Sequence, residues 1–126
     1  MTDGKPYHPA YFDLQVDADA GIAVAKFHYE QLTEEDNLEQ LGQELFALVE
    51  QFQYFKIIAD LTPLKYVTSS VLGKFITLHR KLVRNEGQLI LCNIHPELRE
   101  VLDTSRLLTY FNSAPDVAAA RAQLAG

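Results

Sequence analysis

The sequence holds a single cysteine, Cys92, so no internal disulfide can form, and a reducing compartment is the expectation. It has no apolar run approaching the ~18 residues a membrane-spanning helix needs. It has no excess of basic residues: 11 Lys and Arg stand against 17 Asp and Glu, a net charge of -6. That balance excludes a broad phosphate-binding surface of the kind used on nucleic acid. No glycine-rich phosphate loop follows the first strands, which argues against a dinucleotide site. No G-x-S-x-G elbow is present. The four histidines, His8, His28, His79 and His95, fall on four different elements without metal-ligand spacing. The start, "MTDGKPYHPAYF", carries no apolar core behind a basic segment, so no secretory signal is expected and the location read from it is cytoplasmic.

What is present suits one globular domain. The chain has 126 residues, of which 48% are hydrophobic and 22% charged, enough for a core and a solvated surface. Residues 1–10, with Gly4, Pro6 and Pro9, read as a flexible arm, and residues 11–126 as the domain. "YFDLQVD" alternates Phe12, Leu14 and Val16 against Asp13, Gln15 and Asp17, which predicts a strand with one wet face. The turn "ADAG" then leads into "IAVAKF", completing an edge hairpin. Between Thr33 and Phe52 the apolar residues Leu38, Leu41, Leu45, Leu48 and Val49 keep helical spacing, with Thr33 and Asp36 placed as a capping pair. Gly42 inside that helix points to close packing. "FKIIADL" and "QLILCN" are continuous apolar runs of the kind found in central strands covered on both faces. Residues 71–84 repeat at helical spacing, with Gly87 suited to a left-handed cap. "HPELREVLDTS" is a short helix with Pro96 in its first turn. "LLTYF" reads as a last strand, and "SAPDVAAARAQLAG" as a terminal helix with Asp116 at its positive end. Strands and helices alternate, so the expected fold is α/β: a mixed, mostly parallel sheet of about five strands, an N-terminal edge hairpin and four helices.

One junction stands out. "KYVTSSVLGKF", residues 65–75, sets Thr68, Ser69 and Ser70 between a buried strand and a helix. Hydroxyls there cap free backbone amides, and that alone would account for them. The same helix start also tolerates an anion, because unpaired N–H groups and the positive dipole end face it. A phosphate on Ser69 would add about -1.5 to -2 charges while leaving the core alone. Other candidates have plainer readings. Cys92 sits in a strand as a small hydrophobe, and His79 borders a core face. The basic residues Lys74, Arg80, Lys81 and Arg84 form a solvated face or meet an acidic partner. A Ser69 nucleophile would need a base, and Asp60 and Asp36 are the only nearby acids.

From Lys56 to Phe111 the sequence resembles the STAS domain of bacterial anti-sigma-factor antagonists. The family pattern has an apolar strand ending Asp-Leu, then a turn, then Asp-Ser-Ser-Gly-Leu-Gly opening a helix. Asp60-Leu61, Ser69-Ser70, Leu72-Gly73, Gly87, Asn93 and Leu102 to Leu107 fall in register with it. The resemblance implies a STAS fold and a binding module without catalytic residues, metal or cofactor. It implies partner switching: an anti-sigma factor that is also a serine kinase binds the unphosphorylated form, and a serine phosphatase restores it. By position Ser69 is the phosphoacceptor, with Thr68 and Ser70 beside it and Val71, Leu72 and Lys74 as partner contacts. Two positions depart from the pattern. Thr68 replaces the motif Asp, which removes a negative charge beside the acceptor. Val71 replaces the motif Gly, which adds a branched side chain. A scaffold that does not switch, a small-ligand sensor and a small α/β enzyme are the other readings.

Overall fold

The structure, a computed structural model, describes residues 7–125. Its main sheet is built from β1 (Phe12–Asp17), β2 (Ile22–Phe27), β4 (Lys56–Asp60), β6 (Gln88–Cys92) and β7 (Asn112–Ala114), in the spatial order β1-β2-β4-β6-β7. β1 and β2 form the antiparallel edge hairpin, and every later pairing is parallel. The intervening helices are α1 (Leu38–Glu50), α2 (Ser69–Arg84) and α3 (Pro96–Thr104), and α4 (Val117–Ala125) follows β7. A second, two-stranded parallel sheet joins β3 (Gln31–Leu32) to β5 (Tyr66–Val67). It was not legible in the sequence.

Alternation along the central strands divides the core into two layers. Ala23, Ala25, Ile57, Ala59, Leu89 and Leu91 face the larger layer, with the apolar sides of α1, α2 and α3. Ile22, Val24, Ile58, Ile90 and Cys92 face the smaller one, closed by Ala120 and Leu124 of α4. Both faces of β4 and β6 are therefore covered, which is why those strands read as unbroken apolar runs.

Several local expectations shift. The helix expected from Thr33 begins at Leu38, and Asn37 caps it by accepting from the Gln40 N–H at 3.0 Å. Thr33 and Asp36 close a tight turn of their own: Asp36 Oδ2 accepts from the Thr33 N–H at 2.8 Å and the Asp36 N–H donates to Thr33 O at 3.0 Å. The left-handed position after α2 belongs to Glu86 (φ 58°), not Gly87. Gly87 is required for another reason, since a Cβ there would lie 2.1 Å from the carbonyl oxygen of Phe55. "LLTYF" is not a strand. Leu107 and Leu108 both donate to Leu102 O, and Phe111 donates to Leu107 O, so the segment wraps the end of α3 as turns and the strand begins at Asn112. Gly42 does mark close packing, with the Lys74 side chain 3.2 Å from where a Cβ would stand.

Residues 1–6 of the arm expected at the start lie outside the described residues. Residues 7–10 are seated rather than loose. The Tyr7 hydroxyl donates to Glu44 O at 3.0 Å, its ring lies 4.8 Å from that of Phe52, and the Ala10 and Tyr11 amides donate to the Glu44 carboxylate at 2.8 and 2.9 Å. Glu44 is only 8% exposed, and these amides with the Gln40 side-chain amide satisfy its charge inside the protein.

Candidate functional site

The amino end of α2 lies just beyond the short parallel sheet. Pairing of Gln31 with Tyr66 and Leu32 with Val67 is extended by the Thr68 N–H, which donates to Leu32 O at 3.3 Å. Thr68 holds extended backbone angles at the capping position, and its carbonyl accepts from the Val71 and Leu72 amides, each at 3.1 Å. Its side chain makes no capping bond; Oγ1 is buried without a hydrogen-bond partner. The hydroxyl cap expected from the sequence is therefore not made by Thr68, which is fixed through its backbone instead.

Ser69 and Ser70 are both exposed. Val71 (0% exposed) and Leu72 (7%) belong to the core, so neither offers its side chain to a partner as expected. The reason is helical phase. With about 3.6 residues per turn, Val71, Leu72, Phe75, Leu78 and Leu82 must face the sheet, which leaves Ser69, Gly73 and Thr77 outward. Lys74 is half-buried, and its stem lies across Gly42 of α1. Gly73 opens on space: a Cβ there would meet no heavy atom within 4 Å. The outward surface at this helix end is thus made of small side chains, with the two serine hydroxyls at its head.

Sequence reasoning missed Glu34. The β3–β5 pairing carries the Thr33–Asp36 turn to the end of α2, and Glu34, fully exposed, sets its carboxylate beside the hydroxyls. Its own backbone N–H, then the Thr68 and Ser70 hydroxyls, hold that carboxyl below the usual carboxylate range. Thr68 Oγ1 has no partner at hydrogen-bond geometry, and no bond of that geometry joins Ser70 to the carboxylate, so the two hydroxyls act on it by through-space attraction. No local signal near residue 68 announces Glu34, because only strand pairing brings the two segments together.

The remaining candidates are occupied structurally. Asp60 is 7% exposed, and its Oδ1 accepts from the Thr62 amide and hydroxyl and from Asn93 Nδ2 at 3.0 Å, tying the end of β4 to that of β6. Asp36 is engaged with Thr33. Burial, and then the charges of Asp60 and Asp116, push the Cys92 thiol up to about 12. His79 packs edge-on against Tyr110 and Phe111, and burial lowers its pKa from the ordinary 6.5. Lys81 is paired with Glu50 at 2.9 Å. Among the described residues no helix is long and apolar enough to cross a membrane.

Comparison with known proteins agrees with this architecture. The chain is 35% identical over 86 residues to BtrV of Bordetella bronchiseptica, named as a candidate anti-sigma factor antagonist; the match spans 68% of this chain and 73% of that one. An anti-sigma-factor antagonist (STAS) domain protein from Planctomyces limnophilus superposes with a TM-score of 0.81 at 20% identity, covering 93% of this chain and all of the other. The Bacillus cell fate determinant SpoIIAA in its phosphorylated form superposes with a TM-score of 0.66 at 23% identity, covering 89% and 98% of the two chains. At these identities the two superpositions speak for the fold. Residues 26–120 match the model of the STAS domain, and the chain belongs to that family.

Proposed function

We propose that the chain is a regulatory protein-binding module of the anti-sigma-factor antagonist type, switched by phosphorylation of Ser69. The observation that carries this reading is the division at the start of α2: Ser69 is exposed while Val71 and Leu72, two and three positions on, are locked in the core. A dianion added at Ser69 meets the amino end of a 16-residue helix, which favours negative charge. It changes the docking surface and leaves the packing unaltered. The partner is an anti-sigma factor with serine kinase activity, and a serine phosphatase reverses the mark.

The docking face in this reading is Ser69, Ser70, Gly73 and Thr77 rather than Val71 and Leu72. Glu34 supplies from another loop the carboxylate that Thr68 lacks. A phosphate on Ser69 would stand near that carboxylate, and the combined charge repels an acidic or nucleotide-bearing partner surface; each ~1.4 kcal/mol of repulsion weakens binding tenfold.

Incubation with the serine kinases of the same genome, read by intact mass and peptide mapping, tests the assignment. The expected result is a single phosphate on Ser69, absent from Ser69→Ala, with Ser69→Glu losing the partner that the unmodified protein binds. No phosphate with any kinase, together with equal binding by Ser69→Glu, would leave a scaffold that does not switch.

A further inference from the structure

The carboxyl-terminal half of α2 carries a second surface. α2 spans 16 residues, so at ~1.5 Å per residue its last turn lies roughly 20 Å from Ser69. Here His79, Arg80, Val83 and Arg84 meet Tyr110 of the turn segment after α3 around a groove of about 280 Å³. Val83 is 56% exposed and Tyr110 40%, an adjoining pair of large apolar side chains left in solvent. The Tyr110 ring packs on edge against His79, with centroids 4.9 Å apart, and forms one wall of the groove.

The charges around this groove are unbalanced. Lys81, on the same helix, has Glu50. Arg80 and Arg84 are exposed and have no carboxylate within 4 Å among the described residues. They stand four positions apart, where like charges repel. A chain of net charge -6 has acidic side chains to spare, yet none of the described ones lines this groove. Two free guanidinium groups flanking an exposed valine and tyrosine match the composition of protein interfaces, which are enriched in Arg and Tyr.

We propose that this groove docks an acidic segment of a partner protein, an apolar side chain of that segment resting on Val83 and Tyr110 and its flanking carboxylates pairing with Arg80 and Arg84. The volume suits one or two side chains, and the segment binds extended along the last turns of α2. The groove lies roughly 20 Å along α2 from Ser69, where Arg80 and Arg84 continue the outward stripe of Ser69, Gly73 and Thr77.

The test is an NMR titration of the ¹⁵N-labelled full chain with the synthetic peptide Asp-Glu-Phe-Glu-Asp. Expected are shifts confined to residues 79–84 and 110 that weaken as salt is raised. Affinity falls about tenfold in the Arg80→Ala/Arg84→Ala double variant, as loss of two exposed ion pairs implies. It falls again when the peptide's Phe is replaced by Ser. Both substitutions are on the surface, and an unchanged spectrum elsewhere verifies the fold. Equal affinity of the double variant, or equal binding of Lys-Lys-Phe-Lys-Lys, overturns the proposal. The same shifts with inorganic phosphate alone would make the groove an anion site. The same shifts on concentrating the unliganded protein would make it a contact between copies. Either result refutes the proposed occupant.

Discussion

Two glycines of this chain should respond to the same substitution with opposite sign. Gly87→Ala places a methyl group 2.1 Å from the Phe55 carbonyl oxygen, where ordinary contact begins at 3.4 Å. The two backbones must part by roughly 1.3 Å, and neither is the flexible end of a side chain. The same carbonyl accepts from the Gln88 N–H at 2.8 Å, at the entry of β6, so the displacement also strains that bond. Overpacking of ~1–3 kcal/mol and about 1 kcal/mol for the weakened bond give a loss near 3 kcal/mol. Gly73→Ala meets nothing within 4 Å and sits inside α2, so helix propensity alone decides, with a gain of about 1 kcal/mol. At roughly 4 °C per kcal/mol for a chain this size, Tm should fall by about 12 °C for Gly87→Ala and rise by about 4 °C for Gly73→Ala. Differential scanning calorimetry and guanidinium unfolding measure both. The Gly73→Ala protein, though more stable, should bind the switching partner less tightly, because the new methyl stands on the proposed docking face. A Gly87→Ala protein as stable as the parent, or a Gly73→Ala protein destabilised by a kcal/mol, would refute the packing argument at that position.

Three further outcomes are expected. Glu44→Ala should cost about 2 kcal/mol, since the buried Tyr11 amide and the part-buried Ala10 amide lose a charged acceptor, and hydrogen exchange at those amides should quicken. His79 should titrate below 6.5 in the folded protein; because its folded pKa is depressed, the stability tied to its neutral form is present above pH 6.5 and declines as pH falls toward the folded value. Guanidinium midpoints at two pH values, compared with those of His79→Phe, measure that slope. The Cys92 thiol, pushed up to about 12 and fully buried, should resist a thiol reagent until the chain opens, so its labelling rate at neutral pH should track global unfolding.

The sequence stated its central elements clearly because each is encoded in contiguous residues. "KIIAD" and "QLILC" are apolar on both faces, and residues 69–84 keep one helical stripe, so β4, β6 and α2 lay near their expected places. His95 and Pro96 likewise fix the start of α3 locally. Where two local grammars competed, the sequence misled. "LLTYF" has the composition of a strand, yet the Leu107 and Leu108 amides turn back on Leu102 and that of Phe111 on Leu107, while Leu107, Leu108 and Phe111 pack with the core. Thr33 and Asp36 had the spacing of a helix cap, and they close a separate turn because Asn37 caps the helix instead.

The site divides along the same line. The sequence by itself determined that hydroxyls would stand at the head of a central helix, since the apolar run, the turn and the helical stripe around Thr68, Ser69 and Ser70 are all local. Which of those neighbours faces water was decided by the packing of α2 on the sheet, which sends Val71 and Leu72 inward and leaves Gly73 and Thr77 outside. That Glu34 stands beside them was decided by the pairing of β3 with β5. A stripe's spacing names its face, but only the surface it packs against settles the orientation, and a contact between distant segments exists only once strand pairing has closed the loop between them.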